Sequence, residues 1–88
     1  MKNYLPIGSV VLLRGMENRT LIIGRCQEDK ATGVCYDYAG CSYPMGIQDS
    51  KKVRLFNEQD ICALFAIGFQ DQEEYELREK LKKQRCKI

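Results

Sequence analysis

The chain has 88 residues, of which 44% are hydrophobic and 30% charged, with a formal net charge of +2 at pH 7. These values exclude a disordered or low-complexity chain, and the net charge is too small to indicate nucleic-acid binding by itself. We therefore expect one domain over residues 1–88, with a β core over 4–69 and a C-terminal helix over 71–87.

The sequence lacks the features of a secreted or membrane-spanning chain. No apolar run reaches the roughly 18 residues of a spanning helix. Pro6 and Gly8 interrupt the short apolar stretch near the N-terminus, and no small-residue cleavage site follows it. The sequence therefore predicts a cytoplasmic protein without a membrane partner.

The cysteines are odd in number, form no C-x-x-C pair, and have no histidine to complete a mixed zinc site. We expect reduced structural thiols, as is usual for cytosolic proteins. The five positions are Cys26, Cys35, Cys41, Cys62 and Cys86.

The first half of the chain reads as strands. Val10–Leu13 and Leu21–Ile23 are short apolar runs on either side of a polar connector, a pattern that predicts a hairpin. Residues 34–38 alternate between apolar or aromatic and other side chains, which predicts a further strand with one wetter face. Gly40 indicates a bend or bulge in that strand, and a loop begins near Tyr43.

Two more strands are expected downstream. Lys52–Phe56 alternates charged and apolar residues, which predicts a short strand with Val53 and Leu55 facing inward. Asn57 is a favourable N-cap, which predicts one helical turn or a tight turn over 57–60. Ile61–Phe69 is the most apolar run of the chain and is either a buried strand or a short buried helix; its length and Gly68 favour a strand.

The C-terminal segment has a helix signature. Asp71 and Glu74 fit an N-cap with its capping partner, and acids precede bases in the order that complements the helix dipole. Glu76–Lys80 and Glu79–Lys83 are expected i,i+4 pairs. The apolar stripe of the helix is thin, which leaves room for a partner; it consists of Leu77 and Leu81, with Tyr75 to one side.

Catalysis is not expected. The sequence has no histidine, so neither the commonest general base nor a Ser-His or Cys-His pair is available. It also has no G-x-x-x-x-G-K phosphate-binding motif. We expect a protein that is not an enzyme and carries no metal or cofactor.

Tyr36, Tyr38 and Tyr43 with Pro44 form the group most like a recognition surface, because tyrosine is enriched at interfaces. The alternative is that Tyr36 and Tyr38 cap a small core. Bases near the chain end could contact phosphates, although complementing the helix dipole explains them more simply. They are Lys80, Lys82, Lys83, Arg85 and Lys87.

Four segments in this order, YLPIGSVVLLRG, LIIGR, YDYAGCSYP and LFNEQDI, resemble a family of small bacterial proteins, often Gram-positive, that is catalogued as a domain of unknown function. The resemblance runs from Tyr4 to about Leu81. Members look associated with type VII secretion loci, near genes for toxins with an LXG-type N-terminal domain. The family offers no catalytic residues to carry over. Departures from its pattern are the cysteines at 26, 35, 41 and 62 and a basic helix end.

These observations predict a mainly β (α+β) domain, either a small SH3-like barrel or a bent antiparallel sheet of about five strands, with one C-terminal helix. The resemblance implies an accessory or chaperone-like protein of type VII secretion that binds a toxin or another secretion component. The candidate contact residues are Tyr36, Tyr38, Tyr43, Pro44, Tyr75, Leu77 and Leu81. The alternatives are a nucleic-acid-binding barrel and a self-associating structural protein.

Overall fold

The computed structural model describes residues 4–84, so the predicted end of the helix, Cys86 and the bases at 85 and 87 lie outside the described residues. Two 3-10 turns, Ser50–Lys52 and Glu58–Asp60, flank the fourth strand. The strands and the helix, in chain order, are β1 (Val10–Leu13), β2 (Arg19–Glu28), β3 (Cys35–Tyr43), β4 (Arg54–Phe56), β5 (Ile61–Ala66) and α1 (Gln72–Gln84).

The five strands form one antiparallel sheet in the order β4-β3-β2-β1-β5. This confirms a mainly β fold with one C-terminal helix and about five strands. The sheet is open, with β4 and β5 as its two edges, so of the two expected forms the sheet is observed and the closed barrel is not. The last strand in sequence returns to pair with the first.

The core lies around Tyr38 of β3. Its ring meets Tyr4 edge-on, with centroids 5.9 Å apart, and stacks on Phe56 of β4 at 5.4 Å. Such aromatic pairs contribute beyond the area they bury. The other buried members of this cluster, from the first hairpin, are Val11, Leu13 and Ile22. Leu81 of α1 packs against the cluster.

Gly40 occupies the tightest place in the sheet. A Cβ there would lie 2.5 Å from the Thr20 Cγ2 atom and 2.9 Å from the Leu21 carbonyl oxygen, closer than side chains allow. The register between β2 and β3 shifts between Ile22 and Gly24, directly beside Gly40. The predicted irregularity is therefore present, and the bulge itself lies on β2.

The prediction for the fourth strand was wrong about which side chains face inward. Phe56 is buried, whereas Val53 and Leu55 are half-buried. Phe56 pairs with Tyr38 in register, and this aromatic contact determines which face of the three-residue strand turns to the core. The predicted turn after it is confirmed, because the Asp60 N–H donates to the Asn57 carbonyl oxygen at 2.9 Å and the Asp60 Oδ2 atom accepts from the Asn57 N–H at 2.9 Å.

The first six residues of the run, Ile61–Ala66, form a strand, as favoured, whereas 67–69 follow it outside the sheet; the expectation that the run is buried was wrong. Phe65 is 58% exposed and Phe69 is 81% exposed. The strand lies at an edge of the sheet, where it has a neighbour on one side only. The sequence pattern could not reveal this, because the position of a strand in a sheet depends on pairing with distant residues.

The helix begins as predicted. The Asp71 Oδ1 atom accepts a hydrogen bond from the Glu74 N–H at 3.0 Å. The ion pairs differ from those expected: Glu74 pairs with Arg78, and Glu79 pairs with Lys82 at 3.0 Å. No helix in residues 4–84 is long and apolar enough to cross a membrane.

The expectation of reduced cysteines was wrong at Cys35, which is disulfide-bonded. Cys26, Cys41 and Cys62 carry free thiols. Cys41 is buried in β3 and acts there as a small apolar side chain.

Candidate functional site

Tyr38, one of the predicted contact residues, lies wholly inside the protein. Its hydroxyl accepts a hydrogen bond from the Leu5 N–H at 2.9 Å and donates one to the Glu58 Oε1 atom at 2.7 Å. Burial raises the pKa of the Tyr38 hydroxyl above its ordinary value of 10.0. The side chain links the N-terminal segment to the turn after β4, and its role is structural.

Tyr36 and Tyr43 lie at opposite ends of the ladder between β2 and β3. Tyr36 is half-buried and pairs with Gln27, whereas Tyr43 is exposed and pairs with Arg19. They are seven residues apart on β3, so at about 3.3 Å per residue their Cα atoms lie roughly 23 Å apart along the strand. The structure therefore does not unite the predicted tyrosine group into one surface.

Tyr43 and Pro44, joined by a cis peptide bond, line an open pocket of about 630 Å³. Small-molecule clefts have volumes of about 300–1,000 Å³. We call it the Tyr43 pocket. The residues that line it are Asn18, Ser42, Tyr43, Pro44, Met45, Gln48, Lys52 and Arg54.

The Tyr43 pocket is electropositive. Lys52 and Arg54 are the charged residues in its lining, and the Arg19 guanidinium lies over the Tyr43 ring, 5.0 Å from its centroid. The Nη1 atom of Arg54 is buried and has no hydrogen-bond acceptor in the part of the chain that the structure describes. This donor is shielded from solvent, whereas other parts of the Arg54 side chain line the pocket.

The three predicted residues of the helix have different environments. Tyr75 and Leu77 are about half exposed, with the Arg78 guanidinium 5.2 Å from the centroid of the Tyr75 ring. Leu81 packs against the core instead. Tyr75 and Leu77 are therefore free to meet a partner, whereas Leu81 holds the helix to the sheet.

The helix is fixed to β2 by a bidentate ion pair. Two nitrogen atoms of Arg25 each lie 2.9 Å from an oxygen of Glu74, and both side chains are at least nine-tenths buried. Arg78 adds a contact to the same carboxylate at 2.7 Å. Burial alone would raise the pKa of Glu74, but the hydrogen bonds from Arg25 and Arg78 lower it below its ordinary value.

The largest group of exposed apolar side chains along the chain belongs to β5 and the residues after it. Ile7 lies beside them, because a Cβ on Gly68 would come within 2.8 Å of the Ile7 carbonyl carbon. We call this group the β5 edge surface. Its members are 45% to 81% exposed: Ile7, Leu64, Phe65, Ile67 and Phe69.

Two register shifts explain why consecutive β5 side chains face solvent. Val10 and Val11 of β1 pair with Ala66 and Leu64, which leaves Phe65 outside the pairing. A second register shift, between Leu12 and Leu13 of β1, leaves Cys62 outside the pairing. Each bulge interrupts the alternation of side chains, so the core-facing pattern is lost after Ala63. A run of apolar residues cannot disclose such bulges before the pairing is known.

The described residues gather no metal site: residues 4–84 contain no group of three or more cysteine, aspartate or glutamate side chains that could hold a metal ion. The groups that the fold does bring to the surface are the Tyr43 pocket, the helix positions Tyr75 and Leu77, and the β5 edge surface.

Comparison with known protein families identifies the chain. The model of the family described as Domain of unknown function (DUF4176) matches residues 4–77. The chain belongs to the DUF4176 family. No curated protein and no solved structure matches it.

The DUF4176 match covers all five strands and the first turns of α1. The β5 edge surface and the Tyr43 pocket both lie inside the matched region of this DUF4176 protein. Leu81, which packs α1 against the core, lies beyond it.

Proposed function

We propose that this DUF4176 protein is a non-enzymatic accessory protein of a type VII secretion system that binds an LXG-type toxin or another secretion component in the cytoplasm. The link to secretion rests on the resemblance of the sequence motifs to proteins of such loci. The observation that carries the binding role is the β5 edge surface, which exposes two phenylalanines and three aliphatic side chains.

The size of this surface supports a protein contact. With about 200 Å² for a fully exposed phenylalanine, Phe65 and Phe69 together expose roughly 280 Å². The largest apolar patch of a typical monomer is about 300–600 Å², and such a patch is often functional. The aliphatic members enlarge the surface further, so an apolar segment of a partner has enough area to bind here.

The bulges of β5 indicate whether a partner pairs with the edge strand or packs on its side chains. An edge strand without charge or proline invites pairing with another strand, and the six residues ICALFA contain neither. Bulges oppose that pairing, because they twist the edge and interrupt its ladder. We therefore infer that the partner packs on the apolar side chains and does not extend the sheet. The same bulges disfavour self-association through β5 pairing.

The proposal is tested by co-expressing the tagged protein with the LXG-type toxin that we expect among the products of its neighbouring genes. The wild-type chain should retain the toxin through purification. Changing Phe65→Asp and Phe69→Asp together should reduce retention at least about tenfold, because it places charge in an apolar contact. Val34→Asp is the matched control, since Val34 is 47% exposed but lies in the turn between β2 and β3.

Circular dichroism and thermal unfolding would verify that the double variant is folded, and light scattering would give the mass of the free protein. Full retention of the toxin by the folded double variant would overturn the assignment to β5. A failure of the wild-type chain to bind any product of the secretion locus would overturn the secretion role. A stable dimer that the double variant abolishes would favour self-association instead.

A further inference from the structure

The Tyr43 pocket lies away from the β5 edge surface. It is formed by the end of β3, the loop after it and the start of β4, and β4 is the opposite edge of the sheet from β5. A ligand can bind in the Tyr43 pocket without contacting β5. Binding at the Tyr43 pocket is therefore independent of binding at the β5 edge surface.

The charge of the pocket selects its ligand. Its lining contains Lys52 and Arg54 but no aspartate or glutamate, and Arg19 adds a third cation above the Tyr43 ring. Elsewhere, well-buried cations of this protein are paired, as Arg25 is with Glu74. An arginine next to a carboxylate forms strong, often bidentate hydrogen bonds. The pocket is thus complementary to an anion.

Arg54 is the less exposed of the two cations, since it is half-buried whereas Lys52 is exposed. Its Nη1 atom has almost no accessible surface, so a ligand contacts the part of the Arg54 side chain that lines the pocket. An ion pair at such a half-buried position is screened less by water and salt than a pair at the surface.

The walls of the pocket favour an acidic peptide over a nucleic acid. Tyr43, Pro44 and Met45 provide an aromatic and apolar wall next to the two cations. Phosphodiester backbones are bound by several cations spaced along a groove, and their affinity falls steeply with salt. One compact cationic corner beside an apolar wall suits one acidic side chain with an apolar neighbour.

We propose that the Tyr43 pocket binds a peptide segment through one glutamate or aspartate side chain. The carboxylate pairs with Arg54 and Lys52, and an adjacent apolar residue of the peptide packs on Tyr43 and Pro44. Asn18 and Gln48 in the lining supply amide groups for the peptide backbone.

The test is an NMR titration of the ¹⁵N-labelled full chain with a capped pentapeptide that carries one glutamate between two phenylalanines. Chemical-shift changes should be confined to amides near 42–46 and 52–54. Binding should saturate at roughly millimolar peptide, which is the affinity expected from a single ion pair and one apolar contact. The same peptide with glutamine in place of glutamate should bind about tenfold more weakly.

Variants assign the effect to the pocket. Arg54→Gln should weaken the glutamate peptide about tenfold and abolish its preference over the glutamine peptide. Lys51→Gln is the matched control, because Lys51 is exposed next to the pocket but does not line it. Lys52→Gln, at an exposed position where folding is not in question, should weaken binding several-fold.

Three results would overturn this inference. They are equal affinity for the glutamate and glutamine peptides, shifts that lie elsewhere on the chain, and unchanged binding by both Arg54→Gln and Lys52→Gln. Tighter and strongly salt-dependent binding of a thymidine hexanucleotide at the same amides would assign the pocket to nucleic acid instead.

Discussion

Tyr38 joins three parts of the chain through one side chain. Its ring contacts Tyr4 from the N-terminal segment and Phe56 from β4, and its hydroxyl bridges the Leu5 N–H and the Glu58 carboxylate. Buried polar groups are tolerated when they are hydrogen-bonded, and this hydroxyl has both a donor and an acceptor. A tyrosine at this position therefore contributes both ring packing and a satisfied hydroxyl to the core.

Changing Tyr38→Phe should lower the free energy of unfolding by about 1–3 kcal/mol, because it leaves the Leu5 N–H without its acceptor and removes the bond to Glu58. Urea unfolding measures this change. Tyr36→Phe on the same strand is the control, with an expected effect under about 0.5 kcal/mol. Equal stability of the two variants would show that the Tyr38 hydroxyl contributes nothing.

At the scale of elements, α1 is held to the sheet by two different contacts. Leu81 packs on the core cluster, and Glu74 binds Arg25 of β2. The exposed half of the helix, with Tyr75 and Leu77, is left free. A change at Leu81 would disturb the helix itself, so a test of partner binding by α1 belongs at Tyr75 and Leu77.

The Glu74 contact makes stability depend on pH. The pKa of Glu74 is lowered in the folded chain, so its contribution is fully present above the unfolded value of about 4.5 and is lost as pH falls through the folded pKa. Glu74→Gln should lower the free energy of unfolding by about 1–3 kcal/mol at neutral pH. The unfolding free energy of the variant should also fall less than that of the wild-type chain as the pH drops below about 4.5.

Unfolding measured by denaturant at a series of pH values checks this, with Glu73→Gln as the control because Glu73 is the exposed neighbour on the same helix. If Glu74→Gln kept the acid sensitivity of the wild-type chain, other carboxylates would account for it.

Local signals predicted most of the elements. The first hairpin, the strand after Gly33, the Asn57 turn and the Asp71 cap depend on neighbouring residues, and the structure contains each of them. Membership of a family of unknown function was likewise recognisable from motifs.

The surfaces were not predictable in the same way. Alternation placed Tyr36 and Tyr38 on one side of a strand but could not say that Tyr38 meets Phe56 from β4. The apolar run 61–69 was expected inside, yet its pairing with β1 leaves it at the edge of the sheet. Both outcomes depend on contacts between residues far apart in sequence.

At the scale of the whole molecule, the open sheet presents different chemistry at its two edges. The β4 edge carries the cationic Tyr43 pocket, and the β5 edge carries apolar side chains without charge. A small domain of this kind can contact two separate segments of one partner, or two partners. Linking two modest contacts raises the overall affinity without any new interaction.

The most direct measurement of the central claim is hydrogen–deuterium exchange of the chain, free and in complex with the proposed partner, an LXG-type toxin. Our account predicts slower exchange over residues 61–69 in the complex, because the partner covers the β5 edge surface. Protection confined to other parts of the chain, with 61–69 exchanging as in the free protein, would contradict it.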